Sequence, residues 1–460
     1  MKNFYTFLFY LFVFVGSSQT AQKSIMQEQS EFYRDFKFTN DKSWDSLNAT
    51  LNTPVVSKLN STTQACALVK KVYGWHPYWV GTVYTAYDWS MLSDFSYFDY
   101  AVSPTTGQNT NTSFAWSTSA AVTAAKANGK KIHICATLFA SHATFWATPS
   151  AQTTFINNMV SLLNSRAGNG VNIDFEGMGS ADKTPFKNFM VNLKAALVAA
   201  NPNYELSMAL YAVDWSGSFD IPGLNPVVDD FIIMGYDYYW SGSTTAGPES
   251  PLYNFQTTYN YTCSKSITYY LKAGVTPSKL LLGLPYYGRE WETVGNLAPS
   301  ATTGAFNSSR TYAYVKNTPG TYSAANKKWE ANCFNPYYSY LSGGNWRQCW
   351  IDDIYSMGRK YDMVNQRGIG GIGIWALGYD NGYNDYWQLL KDKFSDCQIK
   401  PCTDSLFDMG GPYRNYYDNE SYTYTIAPNG IDKVQLQFNT FKFSYLFLIS
   451  LSNSSQLMNT

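Results

Sequence analysis

The sequence predicts an α/β fold in which eight parallel β-strands, alternating with helices, close into a barrel. Short apolar runs recur from Val69 onward, and helix-like segments separate them. The runs are continuous rather than alternating, as in Phe231–Met234, which is typical of strands buried on both faces. Turn formers such as Asn201-Pro202 stand where the helical patterns end. Strands that alternate with helices in this way favour a closed parallel barrel.

The predicted elements follow one another in chain order. Strands are predicted at Lys71–Gly74, Phe95–Val102, Lys131–Leu138, Gly170–Phe175, Glu205–Tyr211, Phe231–Tyr236, Leu280–Leu284 and Gly371–Trp375. Helices are predicted at Ala120–Asn128, Thr184–Ala200 and Tyr355–Arg367.

A long stretch between the seventh and eighth strands breaks this alternation. It is rich in Gly, Ser and Asn and has little helical period, and we interpret residues 290–349 as an inserted α+β subdomain on the barrel rim. A disordered loop is the alternative. The aromatic residues of the stretch favour packing instead; they include Trp291, Trp329, Tyr337, Tyr338 and Trp346.

The regions outside the predicted barrel (67–396) have different compositions. Residues 1–21 carry Lys2, an apolar run from Phe4 to Val15 and then small residues, the layout of a secretory signal peptide. Residues 22–66 are polar and are expected to form a leader or loosely ordered arm. Residues 397–460 contain two alternating runs, Tyr422–Ile426 and Val434–Phe438, which predict a small β-rich segment. We expect a secreted protein.

Composition excludes several function classes. The net charge is zero and only 14% of residues are charged, so neither a nucleic-acid surface nor a basic membrane-binding face is expected. The three histidines and seven cysteines show no metal-ligand spacing, and we predict no metal and no cofactor. Aromatic residues make up 17% of the chain, with 38 Tyr and 14 Trp, which suits stacking against sugar rings. The protein is expected to be a monomer.

Export permits disulfides, and sequence proximity suggests two pairings. Cys333–Cys349 is the first, and Cys397–Cys402 could close a small loop. The odd number of cysteines leaves at least one thiol unpaired.

Residues 169–176, Asn-Gly-Val-Asn-Ile-Asp-Phe-Glu, carry the strongest chemical signal. Alternate side chains of a strand share a face, so Asn172, Asp174 and Glu176 would line one face of the fourth strand. Two adjacent acids repel when both are ionised, so one tends to hold a proton near neutral pH, as a general acid must. A solvated polar face is the alternative, but Asp and Glu are uncommon in strands.

Other polar and aromatic side chains stand where strands end, and a parallel barrel gathers its functional groups at that edge. Catalytic roles are predicted for Glu176, Asp174, Tyr236 and Asp237, and substrate contacts for Asn172, Tyr211, Met234, Trp240, Tyr286 and Trp375. Acids, tyrosine hydroxyls and tryptophan rings in one pocket fit hydrolysis of a polysaccharide.

These motifs resemble glycoside hydrolase family 18, the chitinase and N-acetylglucosaminidase family, over roughly residues 69–394. The family's D-G-x-D-x-D-x-E motif stands here as Asn169–Glu176, and its M-x-Y-D motif as Met234–Asp237. The last strand ends in the expected tryptophan, Trp375. Residues 408–426 weakly resemble a fragment of a CUB-like module.

The resemblance implies a role for each matching residue. Glu176 would protonate the glycosidic oxygen, and Asp174 would orient the substrate's own N-acetyl group, whose oxygen is the nucleophile. Tyr236 would hydrogen-bond that acetamide and Asp237 would line the sugar site beside it. Trp375 would form the floor under the sugar.

Three departures from the family pattern affect these expectations. Asn169 and Asn172 replace aspartates, and the stretch 136–139 replaces a small-residue S-x-G-G motif. Asn172 cannot take up a charge, so we expect Asp174 to ionise more readily, with a shifted pH optimum.

The resemblance implies cleavage of β-1,4 bonds next to N-acetylglucosamine in chitin or chito-oligosaccharides, by a retaining mechanism. The variant motif also resembles bacterial N-acetylglucosaminidases that act on peptidoglycan, which is the first alternative. A non-catalytic lectin on the same barrel and an endoglycosidase for N-linked glycans are the others.

Overall fold

A computed structural model describes residues 22–51, 53 and 66–397 of the chain. Its centre is a closed barrel of eight parallel strands. The barrel strands are β1 Lys71–Pro77, β2 Asp94–Ala101, β3 Lys131–Leu138, β4 Gly170–Phe175, β5 Glu205–Leu210, β6 Asp230–Met234, β8 Leu280–Pro285 and β14 Gly371–Trp375. Their order around the barrel is β1-β14-β8-β6-β5-β4-β3-β2, and the barrel closes because β1 pairs on one side with β2 and on the other with β14.

The predicted fold class is therefore confirmed, and each predicted strand is found, three of them with identical ends and the others with ends that differ by one to three residues. The strands were recognisable because they are buried on both faces. Every residue of β6, β8 and β14 is buried, which explains their largely apolar sequences. β2 and β4 are equally buried but carry polar residues, among them Asp99 and Asp174.

A second, antiparallel sheet is formed mainly by the chain between the seventh and eighth barrel strands. Its order is β11-β12-β13-β9-β10-β7, and the edge strand β7 comes from the connection between β6 and β8. The strands are β7 Thr245–Ala246, β9 Tyr287–Thr293, β10 Ser300–Thr311, β11 Lys327–Glu330, β12 Asn335–Ser342 and β13 Asn345–Trp350. The expected insertion is thus an ordered sheet rather than a disordered loop.

Eleven α-helices occur in the described part of the chain. They are α1 Ile25–Arg34, α2 Asp41–Thr50, α3 Ala120–Ala127, α4 His142–Trp146, α5 Pro149–Arg166, α6 Lys183–Ala200, α7 Ile221–Leu224, α8 Cys263–Ala273, α9 Tyr312–Asn317, α10 Ile354–Gln366 and α11 Asp385–Phe394. The three helices predicted from sequence correspond to α3, α6 and α10. None of the described helices is long and apolar enough to cross a membrane.

The polar segment before the barrel is more ordered than expected. The sequence predicts a leader or loosely ordered arm, but α1 and α2 are regular helices that pack on the barrel. Ser24 caps α1 by accepting a hydrogen bond from the Gln27 amide, and Asn40 caps α2 in the same way. We call residues 22–51 the N-terminal arm. The predicted signal peptide and the C-terminal segment beyond Cys397 lie outside the described residues.

The disulfide predictions are wrong. Cys66 is bonded to Cys397, with Cα atoms 5.6 Å apart, so the start and the end of the barrel region are tied together. Cys333 and Cys349 are buried free thiols. Cys349 pairs across the sheet with Tyr338, five positions beyond Cys333, so proximity in sequence does not bring the two sulfurs together. Cys402 lies outside the described residues.

Candidate active site

Two acids lie at the carboxyl end of β4, as the alternation in the sequence predicts. Asp174 is on the strand and is fully buried, and Glu176 follows it with 6% of its surface exposed. The Glu176 backbone amide donates to the Leu138 carbonyl at 2.9 Å, which extends the pairing of β4 with β3 beyond the strand end. This contact fixes the acid at the mouth of the barrel.

The environment of these acids favours their protonated forms. Burial, and then the negative charge of Asp99, raise the pKa of Asp174 to about 8. Burial, and then the charge of Asp174, raise the pKa of Glu176 well above its usual value. The carboxyl groups of Asp174 and Glu176 hydrogen-bond to each other, and apart from this pairing no described residue meets either Asp174 oxygen, or Glu176 Oε1, at hydrogen-bonding geometry. A proton is therefore held by this pair of acids near neutral pH.

Asn172 lies on the same strand, in a polar network with neighbouring barrel strands. Its Oδ1 accepts a hydrogen bond from the Trp75 indole at 2.8 Å, and its Nδ2 donates to the Ser207 hydroxyl at 2.9 Å. The expectation that Asn172 makes Asp174 ionise more readily than an aspartate at this position would stays a prediction. In this chain burial and Asp99 still raise the pKa of Asp174 to about 8.

Tyr236 and Asp237 follow β6, whose last residue is the buried Met234. Asp237 has a φ of 55°, a left-handed conformation that non-glycine residues rarely adopt. It is held there because its backbone amide donates to Glu249 at 3.1 Å and its Oδ1 accepts from the Tyr287 hydroxyl at 3.0 Å. Such local strain is typical of a functional position.

A buried arginine, Arg289, lies beside Asp237 and Glu249. Arg289 Nε donates to Glu249 Oε1 at 3.2 Å, and the guanidinium lies 3.9 Å from Asp237. Burial and the charge of Asp237 raise the pKa of Glu249 well above its usual value, whereas Arg289 opposes that shift. The arginine therefore compensates the negative charge of a site that holds several acids.

Trp375 and Tyr211 also lie where the sequence predicts. Trp375 is fully buried, and its ring packs edge-on against Phe98 with centroids 4.8 Å apart. The Tyr211 hydroxyl accepts from the Met178 amide at 2.9 Å and donates to the Phe175 carbonyl at 3.2 Å. Tyr211 therefore shapes the loop that carries Glu176.

One predicted substrate residue, Tyr286, points away from the acids, and the substrate role of Trp240 stays a prediction. The Tyr286 hydroxyl lies 3.2 Å from that of Tyr361, and its ring packs on Tyr386 at 4.4 Å, among the outer helices α10 and α11. The Trp240 ring lies over Gly242 within its own turn. The adjacent Tyr287, not Tyr286, reaches the site. Alternation along an extended chain puts one of two adjacent tyrosines on each side, and sequence alone does not tell which one points inward.

The N-terminal arm lies directly on these residues. The Ile25 amide donates to Asp237 Oδ2 at 2.7 Å, and the Ser24 hydroxyl interacts with the Glu176 carboxyl. Gln29 Oε1 accepts from the Trp375 indole at 3.1 Å. In this structure the arm fills the mouth of the barrel above the acids.

A cavity of about 320 Å³ lies elsewhere, on the antiparallel sheet. Its lining includes Asn326, Tyr340 and Trp346, and none of its residues is one of the acids described above. The cavity is therefore separate from the acid cluster at the barrel mouth.

The buried acids make stability depend on pH. Because the folded-state pKa of Asp174 is raised to about 8, this group contributes full stability below its unfolded value of about 4 and loses it as pH rises through about 8. We expect Asp174→Asn to remove this dependence. The thermal midpoint of the variant minus that of the parent should increase steadily from pH 4 to pH 8, as measured by circular dichroism. Asp35→Asn, at an exposed carboxylate, should leave the difference constant, and a flat difference for Asp174→Asn would contradict the assignment.

Curated proteins of known type match about half of the chain. A putative sporulation-specific glycosylase of Bacillus subtilis is 29% identical over 237 residues, covering 50% of this chain and 51% of that protein. The cortical fragment-lytic enzyme of Bacillus anthracis is 25% identical over 257 residues, covering 53% of this chain and 54% of that protein. The chain thus spans about half the length of these curated relatives.

Solved structures show the same fold. The Group IV chitinase of Ostrinia furnacalis superposes with a TM-score of 0.62 at 18% identity, covering 70% of this chain and 98% of that chain. The family model for glycosyl hydrolases family 18 matches residues 136–380, which contain the β4 acids, the β6 motif and Trp375. Since that match spans more than half of the sequence, the chain belongs to glycosyl hydrolase family 18.

Proposed function

We propose that the chain is a secreted, monomeric glycoside hydrolase that cleaves β-1,4 linkages next to N-acetylglucosamine and retains the anomeric configuration. The observation that carries the proposal is the buried pair Asp174 and Glu176, whose raised pKa values keep a proton at the barrel mouth near neutral pH. The proposal of secretion rests on the N-terminal sequence around Lys2.

The proposed reaction uses these two acids and the substrate's own acetamide. Glu176 gives its proton to the glycosidic oxygen as the bond from that oxygen to C1 of the sugar breaks. The acetamide oxygen of the same sugar attacks C1 and forms an oxazolinium ion. Water then opens this ion while Glu176 takes back a proton, so the acid is restored and the configuration is retained.

Other residues of the site would assist this internal attack. Asp174 is adjacent to Glu176 and would hold the acetamide N–H, while the Tyr236 hydroxyl would bond the acetamide oxygen. The two acids project from one face of one strand rather than flanking a bond, which suits a nucleophile that the substrate itself supplies. Trp375 would form the floor beneath the reacting sugar.

Two polymers fit this chemistry. We propose chitin or its oligomers first, since the fold neighbour from Ostrinia furnacalis is a chitinase. Peptidoglycan is the second candidate, because a curated relative is a cortical fragment-lytic enzyme and the Asn-Ile-Asp-Phe-Glu form of the motif resembles cell-wall enzymes.

A panel of substrates tests the proposal. The chain, both intact and cleaved between residues 53 and 66 to detach the arm, is incubated with chitin, N-acetylglucosamine tetramer and purified cell-wall sacculi. We expect mass spectrometry to find N-acetylglucosamine oligomers released from chitin at least tenfold faster than fragments from sacculi. Faster release from sacculi would favour the second candidate, and binding without release from any polymer would indicate a lectin and contradict the proposal.

A further inference from the structure

The N-terminal arm makes its main contacts with the residues to which the proposed function assigns substrate. Helix α1 and its cap residue touch four of them, namely Glu176, Tyr236, Asp237 and Trp375. The face of α1 that meets them is completely covered: Ile25, Met26 and Ser30 have no exposed surface. The arm is therefore packed into the barrel mouth as closely as a core helix.

Access to the acids is closed as a result. Asp174 and Trp375 are fully buried and Glu176 is 6% exposed. A hydrolase must bring a polymer and a water molecule to its acid, and these exposures leave room for neither. Apart from the pairing of Asp174 with Glu176, Glu176 Oε1 and both Asp174 oxygens meet no described residue, so the arm covers the acids without satisfying all their oxygens.

Several contacts of the arm are of the kind that an amide-bearing sugar would make. The Ile25 backbone N–H donates to the Asp237 carboxylate at 2.7 Å. The Gln29 side-chain carbonyl accepts from the Trp375 indole at 3.1 Å and from the Tyr379 hydroxyl at 2.8 Å. The arm thus uses the same donors and acceptors that an N-acetyl group and sugar hydroxyls would need.

Charge pairs fix the arm at both ends of α1. Glu28 lies 2.9 Å from the Arg289 guanidinium, and Arg34 lies 2.8 Å from Asp99. Both partners on the barrel side are almost fully buried, with 1% and 0% side-chain exposure. Partly buried pairs of this kind are stronger than surface ion pairs, and each orients the helix.

Aromatic and polar contacts of the second half of the arm add to this anchoring. The Tyr33 ring stacks on Trp79 at 4.7 Å. On α2, Asn48 Nδ2 donates to the Trp79 carbonyl at 2.9 Å, and Asp45 accepts from the Thr82 amide at 2.9 Å. The arm is docked along its length at a defined register.

The covalent structure of the chain would allow the arm to leave. The arm ends before Cys66, and the disulfide from Cys66 to Cys397 ties the start of the barrel region to its end. Detaching the arm therefore breaks no barrel strand and removes no residue of the acid cluster. What is lost is the covering of the barrel mouth.

We propose that residues 22–51 are an autoinhibitory arm, so that this structure is a latent form and the arm must leave the barrel mouth before substrate binds. The inference rests on the proposed function for the nature of the ligand, an N-acetylglucosamine oligomer. It adds a mode of regulation that depends on release of a segment of the chain itself.

The first test compares ligand binding before and after release of the arm. A protease recognition sequence is inserted between Thr53 and Cys66 in the full chain that carries Glu176→Gln, so that ligand is bound but not consumed. N-acetylglucosamine tetramer is titrated by calorimetry into the intact protein and into the cleaved protein after gel filtration. We expect cleavage to lower Kd at least tenfold. Equal Kd values would overturn the inference, and absence of binding to both forms would overturn it together with the proposed ligand.

The same proteins with Glu176 restored separate the inference from the proposed function. If the cleaved protein binds the tetramer more tightly than the intact protein but does not hydrolyse it, the autoinhibitory role of the arm is supported and the proposed reaction is contradicted. If hydrolysis proceeds at the same rate before and after cleavage, the autoinhibitory role of the arm is contradicted and the proposed reaction is supported.

Matched charge reversals on α1 test the mechanism without cleavage. Glu28→Arg places a cation against buried Arg289 and should raise the activity of the intact chain at least fivefold by weakening docking. Glu31→Arg makes the same change on the exposed side of the helix, where Glu31 forms an ion pair with Lys23, and should leave activity unchanged. Equal activity of the two variants would contradict the proposal, and hydrogen exchange of the α1 amides should rise only for Glu28→Arg.

Discussion

Replacing Glu176 with glutamine should lower kcat on N-acetylglucosamine oligomers about a thousandfold in the chain freed of its arm, while Kd changes less than threefold. Glutamine keeps the shape and most of the hydrogen bonding of the protonated acid, but it has no proton to give to the leaving oxygen. General acid catalysis contributes about 10²–10⁴-fold to rate, which sets the size of the effect. Single-turnover kinetics and calorimetry would measure the two quantities.

A matched variant controls for the loss of a glutamate as such. Glu205→Gln makes the same change at the start of β5, at the opposite end of the barrel, where Glu205 pairs with Lys131. We expect its kcat to stay within twofold of the parent. If Glu176→Gln kept more than half of the parent activity, another buried acid such as Asp237 or Glu249 would have to supply the proton.

The barrel was predictable because its strands are buried on both faces. Runs such as Leu280–Pro285 have no polar residue, so no turn or helix pattern competes with a strand there. Helix α5 was missed although Ala151, Phe155, Met159 and Leu163 recur every four residues along its buried face. The many polar residues between these four make the segment look like a loop unless the four-residue spacing is noticed.

The docked arm was not predictable from local patterns. Helix α1 buries Gln29 and Ser30 beside Ile25 and Met26, a composition that is typical of a solvent-exposed segment. These polar side chains are buried because the barrel mouth is itself polar, and Gln29 finds partners there in Trp375 and Tyr379. The helical spacing of Ile25, Met26 and Tyr33 indicates that one face of α1 is covered, but it does not tell which surface of the chain covers it.

The acids of the site were predicted from the sequence, but the neighbouring residues that raise their pKa values or hold them in place were not. Asp174 and Glu176 are conspicuous because they stand in or just after a strand, where carboxylates are uncommon. Asp99 also stands in a strand, β2, but no family motif surrounds it, and Glu249 lies outside the barrel strands. Asp99 follows a run of aromatic residues, and Glu249 lies in a connection after β6, yet the first raises the pKa of Asp174 and the second holds Asp237. Their roles depend on tertiary contacts alone.

The acetamide of the substrate should be as necessary as the acid. If that group is the nucleophile, an oligomer of the same length without N-acetyl groups has nothing to attack C1. A well-placed internal nucleophile reaches effective molarities of about 10⁵ M or more, so its loss should lower kcat at least about 10³-fold. Binding of the deacetylated oligomer to the Glu176→Gln variant, measured separately, distinguishes loss of chemistry from loss of affinity.

The most direct test of the proposed mechanism is therefore the ratio of kcat on N-acetylglucosamine tetramer to kcat on its fully deacetylated counterpart. Both are measured at saturation with the arm released. The arrangement of Asp174, Glu176 and Tyr236 predicts a ratio of at least about 10³. A ratio near one would show that the enzyme supplies its own nucleophile and would contradict the proposed mechanism.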